Sequence, residues 1–213
     1  MERPDERCQF YLIIPPVLDR GMAVDFAATS RTGNVSCALL RADSNGEINH
    51  DFAERLLRYV RPSHVPVLFE NDVAAASDLG ADGVHIIANE EKFTDARRIL
   101  GDDVIIGVDC GLSCHDGLTF GEMGADYIAF TDSIDHPPCW NGLGLEELII
   151  WWSETVTVPC VAWDISSVDS ARQYAQAGAD FVAMGEPVWS HFKGPEKAMA
   201  EFSANLTDQP ISI

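Results

Sequence analysis

The sequence is poor in positive charge. Its 213 residues include 14 Lys and Arg against 34 Asp and Glu, a formal net charge of −20. A field of that sign repels nucleic acid and anionic membrane surfaces, so neither is expected as a partner. It also opposes phosphorylated ligands wherever no local basic pocket overrides it. Long hydrophobic runs are missing too. The longest candidate, residues 148–152, falls far short of the ~18 apolar residues of a membrane span. The opening MERPDER is charged, and the YLII that follows is too short for the core of a secretory signal. There are six cysteines but no CxxC pair. Cys37 and Cys160 lie inside apolar runs and read as small core residues. A reduced, cytoplasmic setting is the expectation. No linker divides the chain: the Gly/Pro-rich stretch 132–144 reads as one long loop, and the residues from about 207 as a frayed tail. Residues 1–213 are therefore expected to form one domain.

What is present is an alternation of short apolar runs with helical patterns. Strands are expected at residues 10–14, 35–40, 66–69, 83–87, 104–108, 127–130, 159–163 and 181–184. They are almost continuously apolar, as strands covered by helices on both faces are. Helices are expected at 51–60, 72–79 and 167–177, the last two following the cap-like Asn71 and Ser166. Gly-Ala-Asp recurs at 80–82, 124–126 and 178–180, each time ending a helical stretch and beginning a strand. Glycine there supplies the left-handed residue that stops a helix. Eight strand–helix units with right-handed crossovers predict a single (β/α)8 TIM barrel of the α/β class.

In such a barrel, ligands bind where strands end. The residues at those positions are Arg41 and Asp43, then Glu70, Asn71 and Asp72, then Glu90. Asp109, Cys110, Cys114 and His115 follow the fifth strand, and Asp132, Asp135, His136 and Cys139 the sixth. Asp164 follows the seventh and Glu186 the eighth, with His191 and Lys193 beyond. His85 lies within the fourth strand, and Trp163 at the end of the seventh is placed for core packing or for stacking a ring-shaped ligand. The ring is polar and mostly acidic, a composition that suits a divalent cation or raises carboxyl pKa values. Cys110, Cys114 and His115, with His85, His136, Cys139 and the nearby aspartates, offer ligand types for zinc. Loop thiols and surface imidazoles are the simpler reading.

The segments VPVLFENDVAAASDLGADGVHI, GADYIAF and AGADFVAM, within a stretch running from Tyr11 to about Val188, resemble thiamine phosphate synthase and its thiazole tautomerase relatives. That resemblance implies condensation of an aminopyrimidine pyrophosphate with a thiazole phosphate. Pyrophosphate is released through a pyrimidine carbocation, with Mg2+ neutralising the leaving group. It implies Asp72 and Glu90 as metal ligands and Arg41 and Asn71 as substrate contacts. A homodimer is a further implication. No residue is singled out as catalytic.

Several positions depart from the family's pattern. A Gln is Leu39 and a Lys is Asp43; Gly-Gln is Ile87-Ala88; a Ser is Asp109. The Lys-bearing loop after the sixth strand is TDSIDHPP, a Gly-Gly is Asp164-Ile165, and the polar turn after the eighth strand is Gly185-Glu186. Asp109, Asp164 and Glu186 thus stand at substrate-binding positions. The changes fall on anion contacts, where a carboxylate opposes phosphate. Three readings follow: a transferase of this type, with its activity in doubt because its phosphate contacts are largely replaced; a non-catalytic, regulatory or ligand-binding paralogue; and a metal-dependent enzyme of changed specificity.

Overall fold

Each strand buries both faces, one toward the barrel axis and one toward surrounding helices, and this is why the strands show no polar alternation. The computed structural model describes residues 8–16, 26, 35–132 and 142–207. The strands are β1 (Gln9–Ile14), β2 (Val35–Leu40), β3 (Val67–Glu70), β4 (Gly83–Ile87), β5 (Ile105–Asp109), β6 (Tyr127–Phe130), β7 (Cys160–Ala162) and β8 (Phe181–Met184). All neighbours are parallel and follow chain order, and β8 pairs with β1 to close the ring. The expected (β/α)8 barrel is what forms.

The helices among the described residues are α1 (His50–Val60), α2 (Val73–Leu79), α3 (Glu90–Leu100), α4 (Cys114–Glu122), α5 (Leu145–Thr155), α6 (Val168–Gln176), α7 (Glu186–Trp189) and α8 (Pro195–Thr207). Their apolar faces meet Phe10, Leu12 and Ile14 of β1 and the corresponding residues of the other strands. Trp152 of α5 is fully buried there, with its indole N–H donating to the Val158 carbonyl.

The Gly-Ala-Asp repeat does more than stop helices. Gly80, Gly124 and Gly178 take left-handed φ values of 67°, 90° and 101°. Each following aspartate then clamps the preceding strand. The Asp82 carboxylate accepts the Val67 N–H, Asp126 that of Ile106 and Asp180 that of Cys160. The backbone N–H of each aspartate returns a bond to the carbonyl of the same partner. Amides at the N-terminal rim are thereby satisfied in pairs, as buried backbone requires.

Several boundaries differ from expectation, each for a local reason. β3 and β5 run one residue further, carrying Glu70 and Asp109 into the ladder opposite His85 and Ile87. β7 is shorter because Pro159 has no N–H to donate and Asp164 turns the chain at φ 55°. Asp72, not Asn71, caps α2, and Ser167, not Ser166, caps α6. Asn71 is unavailable for capping, because it sits at φ 53° with its side-chain oxygen on the Ile87 N–H.

Inside the ring, Tyr11, Ile13, Cys37, Leu39, Leu68, Tyr127, Ala129, Val161, Trp163 and Ala183 form one packed cluster. Gly107 makes room for it: a Cβ there would fall within the Tyr127 ring. Gly107→Ala is therefore expected to cost about 1–3 kcal/mol of stability through overpacking. Urea unfolding of the variant checks this, and an unchanged midpoint contradicts it.

Candidate functional site

Arg41 follows β2, and its backbone N–H extends the ladder to the Ile14 carbonyl. From there its guanidinium reaches across the mouth to Asp164 at 2.9 Å, with Glu70 at 3.7 Å on the other side. Glu70 also accepts the Ala42 N–H at 3.0 Å. Burial pushes the Glu70 carboxyl above the ordinary range; Arg41 and the Ala42 N–H oppose that rise, while Asp164 and Asp109 add to it. These influences bring Asp109 into the same electrostatic neighbourhood. Asp109 is buried, and one of its oxygens accepts the Gly111 N–H at 3.0 Å. The mouth thus holds one guanidinium between two carboxylates, Glu70 and Asp164, with Asp109 near enough to Glu70 to raise its carboxyl pKa. Among the described residues at the strand ends, Arg41 is the one Lys or Arg.

The other expected residues are distributed as follows. Asn71 borders the mouth and holds β3 to β4 through its own N–H on the His85 carbonyl and its side chain on the Ile87 N–H. Both Asp72 oxygens accept backbone N–H groups, from Ala75 and from Ile48. Glu90 is the exposed first residue of α3, next to the cap Asn89. Glu186 is exposed at the start of the single-turn α7. Asp43 turns inward on its own loop, accepting the Asn45 and Glu47 N–H groups. Those bonds hold its carboxyl below the ordinary range. Lys193 pairs with Glu201 at 3.0 Å. Cys110 is buried, and its thiol is pushed up by desolvation. Among the described residues no group of three His, Cys, Asp or Glu is arranged to hold a metal ion. Asp135, His136 and Cys139 lie outside the described residues.

Beneath the carboxylates lies a polar chain that the sequence reading did not assemble. His85 is 3% exposed and stacks on Trp163, with centroids 3.9 Å apart and planes 10° from parallel. Trp163 is thus a packing residue of the floor, the alternative favoured by its place in the inner cluster. His85 Nδ1 lies 2.8 Å from the Tyr127 hydroxyl, which lies 3.0 Å from the Tyr11 hydroxyl. A usable signal existed: a tyrosine buried inside a barrel strand must find a partner for its hydroxyl, and two such strands carry one each.

Burial depresses the His85 pKa from 6.5 to about 3, with Arg41 adding repulsion. The unfolded imidazole binds a proton below pH 6.5, whereas the folded one does so only near pH 3. Stability from this group is complete above pH 6.5 and lost as pH falls toward 3, at up to about 1.4 kcal/mol per pH unit. His85→Gln is expected to flatten the stability profile in that window, as read by urea midpoints at successive pH values. Parallel profiles for the two proteins contradict the assignment.

The family described as thiamine monophosphate synthase matches residues 10–188. A thiamine-phosphate synthase of Rhodospirillum centenum is 36% identical over 202 residues, covering 92% of this chain and 96% of that one. One from Hyphomonas neptunium is 31% identical over 210 residues, covering 95% of each chain. Among solved structures, a thiamine phosphate pyrophosphorylase from Pyrococcus furiosus superposes with a TM-score of 0.73 at 22% identity, covering 94% of this chain and 96% of that one. An orotidine 5'-phosphate decarboxylase from Pyrococcus horikoshii gives 0.64 at 12% identity, covering 92% of this chain and 98% of that one; it shares the fold alone. The match over most of the chain and the relatives above 30% identity agree: this chain belongs to the thiamine monophosphate synthase family.

Proposed function

We propose that the chain works in thiamine biosynthesis as a transferase that joins an aminopyrimidine pyrophosphate to a thiazole phosphate at the strand-end mouth. The bond between the pyrimidine methylene carbon and the pyrophosphate oxygen breaks, and the electron pair leaves with pyrophosphate. The thiazole ring nitrogen then donates its pair to that carbon, forming the C–N bond of a thiazolium. The observation that carries this reading is the placing of Glu70 and Asp164 about Arg41, with Asp109 acting on Glu70 from nearby. Fixed carboxylates stabilise positive charge developing on carbon. Arg41 is oriented by two of them and retains further N–H donors for the departing anion.

The resemblance implies a Mg2+ at this mouth. This cation takes one or two carboxylates and completes its shell with substrate oxygens and water. Asp72, oriented by two backbone N–H groups, and the exposed Glu90 would hold it. Bound there, it would neutralise charge on the pyrophosphate. Asn71 would line the substrate beside Asp72. Asp109 would face the pyrimidine end, and Asp164 and Glu186 would border the thiazole end.

A second reading is a ligand-binding paralogue without turnover. One observation favours it: the guanidinium that would meet pyrophosphate is already shared between two carboxylates. Turnover with both phosphorylated substrates and Mg2+ separates the two. The transferase reading expects thiamine phosphate and pyrophosphate in equal amounts, and expects Arg41→Gln to lower kcat/KM by about 10- to 100-fold. No product at high protein concentration, with melting raised by unphosphorylated precursors, supports the paralogue instead.

The electrostatics give one more expectation. Asp164→Asn keeps a residue type that tolerates positive φ while removing a charge from the partly exposed Arg41 pair. Affinity for inorganic pyrophosphate should rise about 2- to 5-fold, a modest gain because solvent screens the pair. Titration calorimetry measures it, and unchanged or weaker binding contradicts the proposed place of Arg41.

A further inference from the structure

The layer of Tyr11, Tyr127 and His85 separates the two ends of the barrel. On one side lies the acidic mouth. On the other, at the N-terminal ends of the strands, lies a cavity of about 250 Å3. Tyr11, Tyr127, Cys37, Val161, Ile105 and Phe181 form its walls. All six belong to the inner cluster or pack against it, which places the cavity on the barrel axis. Among the described residues it opens at the rim where the strands begin, and none of the mouth residues lines it.

An irregularity shapes that rim. Phe10 pairs with Val35 and Tyr11 with Cys37, so Ser36 is an extra residue in β2 and lines the cavity beside Cys37. Bulges of this kind re-aim side chains and gather at barrel rims and beside sites. The donors that would hold an anion are missing. Pro66 and Pro159, both at the rim, have no N–H. The Gln9, Ile105 and Asp126 N–H groups are already bonded to the Asp180, Asp82 and Ile106 carbonyls. Asp126 adds a carboxylate, which Arg97 meets at 2.9 Å. Among the described residues no buried side-chain nitrogen or oxygen lacks a partner, so the walls demand no hydrogen bond from an occupant. They offer two phenol rings, one phenyl ring and aliphatic surface.

We propose that this end of the barrel is a second ligand site, which takes a small, uncharged, fused-ring aromatic molecule. Size sets the number of rings: an apolar cavity of about 150 Å3 holds benzene, and this one is larger. Chemistry sets the charge: the net −20 of the chain and the missing donors disfavour an anion. Affinity comes from burying the ligand against the Tyr11, Tyr127 and Phe181 rings. One ring N–H is tolerated, because Gln9 and Ser36 carry side-chain oxygens at the rim. The site is separate from the mouth and does not depend on the transferase reading.

The test uses the full chain with indole as probe and indole-2-carboxylate as charged control. Calorimetry is expected to show saturable indole binding with a Kd of about 1 mM or tighter. The carboxylate should bind about 10-fold more weakly or worse, since its charge would be desolvated without a partner. In methyl-labelled protein, indole should move the Ile105 and Val161 resonances and leave that of Ile87, the last residue of β4 at the opposite end, in place. Cys37→Leu adds bulk to the wall. It is expected to weaken indole binding about 5-fold or more while holding or raising the melting temperature, as cavity filling does. The proposal is overturned by the absence of saturable binding, by shifts confined to Ile87, or by equal affinity for the carboxylate. Unchanged affinity in a folded Cys37→Leu overturns it as well. Should that variant fail to fold, the wild-type methyl shifts decide.

Discussion

A closed ring of eight parallel strands encloses only enough space for side chains to fill, and polar atoms placed there are largely removed from water. The interior of this barrel holds three polar rings, those of Tyr11, Tyr127 and His85, and each must find its partner among the others. That requirement shapes the residues around them. Gly107 carries no Cβ because Tyr127 occupies the space, and small Ala129, Ala183 and Cys37 belong to the same inner cluster. Trp163 closes the layer over His85. The floor of the mouth is thus set by packing and hydrogen bonding together, and the groups above it stand on a rigid base.

On that base the balance of charge is local. Arg41 carries the one fixed positive charge at the described strand ends and is held by Asp164 and Glu70. Such a pair, a third or so exposed, adds little to stability because water screens it. Its consequence is orientation: a guanidinium held at two points loses little further freedom when a third partner arrives. Anion affinity is reduced by the same carboxylates, so the pyrophosphate group of the proposed substrate would depend on additional positive charge brought with it.

The barrel was legible in the sequence because its determinants repeat. Both-face burial made every strand a short apolar run, and Gly-Ala-Asp marked three helix-to-strand junctions. The boundaries that moved did so where a polar residue took a backbone role. Asn71 at positive φ, with its side chain on Ile87, passed the cap of α2 to Asp72. Glu70 and Asp109 read as loop acids, yet both remain in the ladder at the open end of the ring. Individual mouth residues could be named from strand ends, since parallel strands place those ends together. Their pairing could not be. Arg41 and Asp164 are 123 positions apart, and His85 and Tyr127 are 42 apart. Nothing local in the sequence indicates which side chain crosses to which.

The acidity of the chain also acquires two meanings, one at each end of the barrel. At the N-terminal rim, Asp82, Asp126 and Asp180 each accept a strand N–H, and their charge completes the backbone network. At the C-terminal rim, Glu70 accepts one N–H but is half-buried near Asp109 and Asp164, so the cost of its charge is only partly met. Acids in that condition stabilise positive charge arriving near them, whether carried by a ligand or formed during bond cleavage. The carboxylates standing where phosphate contacts are expected therefore do not by themselves argue against ionisation of a pyrimidine pyrophosphate. They favour the cation and disfavour the anion from the same positions.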